Sequence, residues 1–179
     1  MKLLRTIRLD PSDTFVFERA AEPGEWAVPG AFAFAHFDVA ALEGKRRAAF
    51  RSGFLGINSL GWSTLVQVVD ASEEDRAAAV ELLARRLVEH FGAPDLGTAR
   101  PAAEEEIAFA ASLSEHPKGM LVALARKFEN GAIREAFRTL TPGVGTQPAR
   151  AYAFLEVEGE EDAPPEDVDL LSLAKGQRR

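Results

Sequence analysis

The chain of 179 residues has no cysteine, few histidines and no long apolar run. Without cysteine it has no disulfide framework, no thiol nucleophile and no cysteine-ligated zinc or iron–sulfur site. No apolar stretch approaches the roughly 20 residues that span a bilayer, and the first nine residues interleave charged with apolar side chains, unlike a signal peptide. These absences predict a soluble, cytoplasmic protein that does not insert into a membrane.

Recognisable catalytic motifs are also missing. No G-x-S-x-G sequence marks a nucleophilic serine, and the close histidine–carboxylate pair His36 and Asp38 supplies too few ligands for a metal site. The glycine-rich residues 53–61 match neither the dinucleotide fingerprint nor the P-loop. We interpret these glycines as permitting positive φ angles in a helix-to-strand connection, with an anion-binding nest of amides as the alternative. We therefore expect no metal and no cofactor.

The charge that is present is unevenly distributed. Eight of the 28 acids lie between residues 156 and 169, where no lysine or arginine occurs, so the remainder carries 20 acids against 21 bases. The net charge of −7 thus belongs to one segment. We predict a single domain over residues 1–157 and an acidic, flexible tail over residues 158–179. A nearly neutral body argues against nucleic-acid binding but leaves anionic ligands open.

The apolar pattern predicts an α+β fold, with a mixed or mostly antiparallel sheet and two or three helices packed on one face. Period-2 alternation and β-branched residues predict strands over residues 3–9, 14–17, 31–37, 62–69 and 150–157. Helices are predicted over residues 38–51, capped by Asp38, over residues 73–91, capped by Ser72, and from Pro101 to before Pro117.

Residues 119–140 fit either a β-hairpin or a helix capped by Asn130. We favour the hairpin because Asn130-Gly131 between apolar runs is a strong signal for a two-residue turn. Its register places three pairs on an apolar face together with Arg126 opposite Glu135: Phe128 with Ile133, Leu124 with Phe137, and Val122 with Thr139. The other face pairs Lys127 with Arg134, Ala125 with Ala136, and Ala123 with Arg138.

The cationic face of this hairpin suggests an anion-binding site. Like charges directly opposite on paired strands are destabilising, so Lys127 across from Arg134, with Arg138 nearby, favours an anion lying over them. The anion would be the acidic tail, a partner's surface, or the carboxylate or phosphate of a ligand. The alternative is that these side chains extend into water and bind no anion. The candidate anion-binding residues are Arg126, Lys127, Arg134 and Arg138, with His36 and Trp62 as a possible adjoining pocket.

Residues 5–17, 53–69 and 131–142 resemble the corresponding stretches of an uncharacterised family of alphaproteobacterial proteins of about this length. The likeness runs over residues 1–157. The family brings no assigned activity, cofactor or catalytic residue. The resemblance implies a bacterial cytosolic protein, accessory to a metabolic or redox gene cluster.

Two functions follow as hypotheses. The first is a non-catalytic accessory or protein-interaction domain, acting on an unknown partner or as a homodimer. The second is a small-molecule enzyme or binding domain for an anionic ligand. A concave pocket lined by the candidate residues would favour the second, and a flat surface or an extensive symmetric contact the first.

Overall fold

The computed structural model describes residues 1–142 and the backbone of residues 154–158. The strands are β1 (Lys2–Ile7), β2 (Trp26–Val28), β3 (Phe54–Gly56), β4 (Trp62–Ser63), β5 (Leu65–Asp70), β6 (Leu121–Glu129), β7 (Ala132–Pro142) and β8 (Phe154–Glu158). The α-helices are α1 (Ser12–Val16), α2 (Gly44–Ser52), α3 (Glu73–His90) and α4 (Leu96–Ser112), with 3₁₀ turns at Ala31–Phe34 and Val39–Ala41. No helix of this part of the chain is long and apolar enough to cross a membrane.

The strands form one sheet in the order β4-β3-β2-β1-β5-β6-β7-β8. Neighbouring strands pair antiparallel throughout. This confirms the α+β class with an antiparallel sheet, while the placement of the helices on one face stays a prediction. Of the predicted last strand over residues 150–157, residues 154–157 lie in β8. Residues 150–153 lie outside the described residues, and so do residues 159–179 of the predicted tail.

The main core lies between the central strands and the helix pair α3–α4. Val66 and Val68 alternate along β5 and are fully buried, and α3 contributes Leu83. Each such side chain stabilises the fold by about 1.5–3 kcal/mol when fully buried. Helix α4 buries Ala99 and Ala103, whose small side chains let it pack closely on α3 and on β1.

The start of α3 was predicted correctly and the start of α4 was not. Ser72 and Asp75 form a reciprocal capping box, and α3 ends at His90. Helix α4 begins five residues before Pro101, because the Asp95 carboxylate accepts a hydrogen bond from the Thr98 amide at 2.8 Å. This cap starts the helix upstream, and Pro101 lies inside it.

The hairpin over residues 119–140 is confirmed in detail. Asn130 and Gly131 have φ angles of 52° and 75°, as a type I′ turn requires. The β6–β7 register reproduces every predicted pair, including Arg126 opposite Glu135 and Lys127 opposite Arg134. The turn and the period-2 pattern therefore determine which side chains share each face.

Two predicted strands in the first forty residues are wrong. Residues 14–17 fall in or beside α1, whose preceding turn is held by the Asp10 carboxylate accepting from the Ser12 amide at 2.8 Å. Residues 31–37 begin with a 3₁₀ turn instead of a strand, after Gly30 turns the chain at φ 82°. The phenylalanines of that segment separate: Phe34 packs on Trp62, and Phe32 packs on Phe91.

The predicted helix over residues 38–51 is also shorter than expected. Asp38 precedes only the 3₁₀ turn Val39–Ala41 and makes no side-chain cap. Leu42 is extended and buried, so it interrupts the helix, and α2 begins at Gly44. Residues 62–69 are likewise divided into β4 and β5 at Thr64, whose hydroxyl donates to Asp13.

Candidate functional site

Arg126 lies on β6 opposite Glu135 and is only 1% exposed. Its Nε donates to Glu135 Oε2 at 3.0 Å, and its Nη1 donates to the carbonyls of Phe50 and Gly53 at 2.7 and 3.4 Å. Its Nη2 donates to the Pro29 carbonyl at 2.7 Å and lies 2.9 Å from Glu135 Oε2. Each of the three nitrogens of this guanidinium therefore donates to an acceptor within the protein.

A second carboxylate lies near this buried pair. Glu106 on α4 accepts a hydrogen bond from the Gly30 amide at 3.1 Å. Burial raises the pKa of Glu106, the charge of Glu135 raises it further, and the Gly30 amide and Arg126 oppose the shift. Burial lowers the pKa of Arg126, and both carboxylates act against that change. Glu135 thus contacts the guanidinium directly and Glu106 interacts with its charge at longer range, and we call Arg126 an internal clamp because it holds β6, α2 and the Pro29 carbonyl together.

The other predicted cations lie on the opposite face of the hairpin. Lys127 Nζ is 2.9 Å from Glu129 Oε2, and Arg134 Nε is 3.8 Å from Glu129 Oε1. Glu129 therefore lies between the two cations that face each other across the strands. Arg138 is half-buried further along β7, opposite Ala123. The sequence analysis missed Glu129, although its position two residues after Lys127 on the same strand places both on one face.

A cavity of about 180 Å³ lies between α2 and β6, and two of the predicted residues line it, Arg126 and Lys127. The other lining residues are Val39, Ala40, Leu42, Arg47, Phe50, Arg51 and Phe128. All nine are either apolar or cationic. Among the described residues, the cavity is therefore a concave site lined by positive charge and hydrocarbon, with no carboxylate, hydroxyl or imidazole in its wall.

Arg47 and Arg51 were not predicted as site residues. They lie one turn apart on α2, a spacing at which like charges destabilise a helix. Burial lowers the pKa of Arg51, and the charge of Arg47 lowers it further. Neither guanidinium has a carboxylate within 4.0 Å in residues 1–142. The cavity thus has a pair of cations beside it with no counter-ion in that range.

A larger cavity, about 350 Å³, lies on the other side of α2 and contains Trp62. Two of its cations are already engaged. Arg46 Nε is 3.9 Å from the Glu18 carboxylate, and Arg19 donates to the Ser59 carbonyl at 3.2 Å. The wall of the larger cavity also contains the Glu18 carboxylate, whereas Arg47 and Arg51 of the smaller cavity have no carboxylate within 4.0 Å in residues 1–142, so we regard the smaller cavity as the better candidate site.

The predicted pocket residues do not join the hairpin cations. Trp62 lines the larger cavity on the far side of α2, and its indole stacks on the Phe34 ring with 5.1 Å between the ring centroids. His36 is exposed after the 3₁₀ turn and lines neither cavity. Within the described part of the chain no three histidine, aspartate or glutamate side chains group closely enough to hold a metal.

The glycine-rich residues 53–61 serve a different purpose from the one predicted. Positive φ occurs there at Leu60 (59°), and not at the glycines. The glycines are required for close approach: a Cβ on Gly53 would lie 2.8 Å from the Trp62 ring, and one on Gly56 would overlap the Glu25 carboxylate. The explanation by positive φ is wrong, because steric room is what these positions need.

Backbone amides of the same segment do bind an anionic group, and it is a side chain of this protein. Glu25 Oε1 accepts hydrogen bonds from the amides of Asn58 and Ser59 at 2.8 and 2.9 Å. The alternative prediction of an amide nest therefore describes the local geometry, with Glu25 as the occupant.

The family model of a family of unknown function, DUF6505, matches residues 1–152. The chain therefore belongs to that family. No curated protein and no solved structure matches it.

Proposed function

We propose that this member of a family of unknown function is a binding domain for a small anionic ligand, held in the cavity between α2 and β6. The observation that carries the proposal is the Arg47–Arg51 pair, two neighbouring cations beside a cavity with no carboxylate within reach in residues 1–142. An anion between them would relieve their repulsion. Guanidinium groups also match carboxylate and phosphate oxygens in bidentate geometry.

The remaining cations have supporting roles. Arg126 already donates from each of its nitrogens to protein acceptors, and it fixes the carbonyls of Phe50 and Gly53 at the end of α2 against β6. This clamp determines where Arg51 lies relative to the cavity. Lys127 binds Glu129 at the cavity wall and can exchange that partner for a ligand anion, because one strongly hydrated ammonium has three rotatable donors.

Binding, rather than catalysis, fits the chemistry of the wall. General acid–base catalysis needs a group whose pKa is close to the working pH, within hydrogen-bond reach of the reacting atom. The nine lining residues offer only hydrocarbon, guanidinium and ammonium groups. The lining therefore supplies electrostatic attraction and shape, without a group suited to moving a proton at neutral pH.

Calorimetric titration with two anions, hexanoate and inorganic phosphate, tests the proposal. We expect saturable binding of at least one to the wild type and to Arg85→Gln, a matched variant on the exposed side of α3. Arg51→Gln should weaken binding at least tenfold, since a charged hydrogen bond contributes about 1.5–3 kcal/mol. Equal affinity in Arg51→Gln, or no saturable binding of either anion at millimolar concentration, would refute the proposal.

A non-catalytic accessory or protein-interaction role, in a bacterial cytoplasm and with a partner or as a homodimer, is the second candidate. Four exposed phenylalanines in residues 1–142 favour it: Phe15 is 71%, Phe37 43%, Phe109 38% and Phe128 46% exposed. Exposed apolar surface of this kind is common at protein contacts. Sedimentation equilibrium of the wild type and of Phe15→Ser tests the homodimer: a dimer that Phe15→Ser dissociates supports it, and a concentration-independent monomer argues against it.

A further inference from the structure

The cavity between α2 and β6 differs in character between its inner end and its mouth. Leu42 and Phe50, which line it, are 9% and 4% exposed, so they form its inner wall. Arg47 is exposed and Arg51 half-buried, so their charges lie toward solvent. A ligand in this cavity would meet hydrocarbon at one end and positive charge at the other.

Arg126 does not make the inner end receptive to a charge. Each of its three nitrogens already donates to Glu135 or to a backbone carbonyl. Glu135 and Glu106 also place negative charge around it. An anion at the inner end would lose its hydration beside a guanidinium whose nitrogens already donate to protein acceptors and whose charge Glu135 balances. The inner end therefore favours an uncharged, apolar group.

The size of the cavity limits the ligand. Its volume of about 180 Å³ is more than ten times the roughly 10–15 Å³ that one water requires, and it lies below the roughly 300–1,000 Å³ typical of sites for drug-sized ligands. A short apolar chain fits this space.

Resting on the proposed function, we infer that the ligand is a small amphipathic monocarboxylate, bound with its carboxylate between Arg47 and Arg51 and its short apolar chain against Leu42 and Phe50. A compact, fully hydrated anion such as inorganic phosphate satisfies the two guanidinium groups but leaves the apolar wall in contact with water. A dicarboxylate would place its second charge at the apolar inner end. Both classes should bind more weakly than a monocarboxylate of matching length.

A homologous series of straight-chain carboxylates tests the inference by calorimetry: acetate, butyrate, hexanoate and octanoate, with inorganic phosphate and adipate for comparison. We expect the affinity to rise about fourfold for each added methylene, the equivalent of about 0.8 kcal/mol, and then to level off when the cavity is full. Hexanoate should bind more tightly than phosphate and than adipate.

Two variants separate the two ends of the cavity. Arg51→Gln should weaken every carboxylate by a similar factor and leave the gain per methylene unchanged. Val39→Ala widens the apolar wall at a half-buried position, so it should leave acetate affinity unchanged and move the plateau to a longer chain.

The outcomes distinguish this inference from the function on which it rests. If phosphate or adipate binds more tightly than hexanoate, or if affinity does not depend on chain length, the ligand class is wrong while anion binding stands. If Arg51→Gln does not weaken any of these anions, or if none of them binds, the proposed function fails as well.

Discussion

Two arginine sites involve helix α2, and they differ in how their charge is balanced: Arg126 of β6 donates to the Phe50 carbonyl of α2, and Arg47 and Arg51 belong to the helix itself. Arg126 is buried, has a carboxylate partner, and donates from each of its nitrogens to acceptors inside the protein. Arg47 and Arg51 lie near the surface of α2 with no carboxylate within 4.0 Å in residues 1–142. The first arrangement holds the fold together. The second leaves two like charges one helical turn apart, and under the proposed function an anion between them would reduce their repulsion.

Glu25 is an anionic side chain whose hydrogen-bond partners also lie within the protein. Its carboxylate accepts hydrogen bonds from three backbone amides, those of Glu22, Asn58 and Ser59. Charged groups with complete sets of partners are therefore structural here. The Arg47–Arg51 pair departs from that rule beside a cavity, and this makes it the better candidate for function.

The largest effect is expected from Arg126→Met. The change leaves the Glu135 carboxylate and the carbonyls of Pro29 and Phe50 without their donor, and breaking a buried ion pair in this way costs about 3–5 kcal/mol. Urea unfolding should show this loss of unfolding free energy. The double variant with Glu135→Met should recover a large part of it, because no charge is then left unpaired. A loss below about 1 kcal/mol in the single variant, within the range of an ordinary substitution, would mean that Arg126 is no clamp.

Glu25→Gln should have the next largest effect. The amide side chain has one acceptor oxygen in place of two, so at least one of the three backbone amides loses its partner. We expect about 1–3 kcal/mol of destabilisation, measured by thermal or urea unfolding. Glu22→Gln, at an exposed side chain close by, is the control and should stay within about 0.5 kcal/mol of the wild type. Equal stability of the two variants would contradict the role of the amide nest.

Glu106→Gln should change how stability depends on pH. Since burial raises the pKa of Glu106 in the folded protein, its contribution to stability is complete below its ordinary value of 4.5 and is lost as the pH rises through the folded-state pKa. Glutamine retains an acceptor for the Gly30 amide and does not ionise. Glu106→Gln should therefore gain stability relative to the wild type between acidic and neutral pH. The control is Glu105→Gln at an exposed position, whose unfolding free energy should depend on pH as that of the wild type does. If the unfolding free energy of Glu106→Gln also runs parallel to the wild type over this pH range, Glu106 is not desolvated.

The smallest effect on stability is expected from Arg51→Gln. No carboxylate in residues 1–142 loses a partner, and the repulsion from Arg47 disappears, so the unfolding free energy should rise by about 0.2–0.5 kcal/mol at low salt. High salt should reduce that gain, because it screens the repulsion in the wild type. Destabilisation by more than about 1 kcal/mol would show that Arg51, like Arg126, stabilises the fold.

The sequence predicted those parts of the fold in which local signals agree. The β6–β7 register follows from Asn130-Gly131 and from alternation on both sides of the turn, and the start of α3 follows from Ser72 and Asp75. The same alternation misled at residues 31–37, since Phe32 and Phe34 pack against different parts of the molecule after the turn at Gly30. Alternation of apolar residues predicts a strand correctly only where the alternate side chains pack against the same part of the molecule.

The candidate site could be predicted only in part, for a related reason. Arg126 and Lys127 were found because they belong to a locally determined hairpin. Arg47 and Arg51 are one helical turn apart, which the sequence shows, but their importance depends on α2 packing against β6. That contact joins segments more than seventy residues apart, through the hydrogen bond from Arg126 to the Phe50 carbonyl.

The most direct test is an NMR titration of the wild type with hexanoate, observing the side-chain Nε–H signals of the arginines. The signals of Arg47 and Arg51 should shift saturably and with the same midpoint, because the carboxylate binds between them. The Nε–H of Arg126, which donates to Glu135, should keep its position to within a small fraction of those shifts. A dominant shift of Arg126 with none at Arg51, or no saturable shift at any of the three, would contradict the division into a structural arginine and a ligand-binding pair.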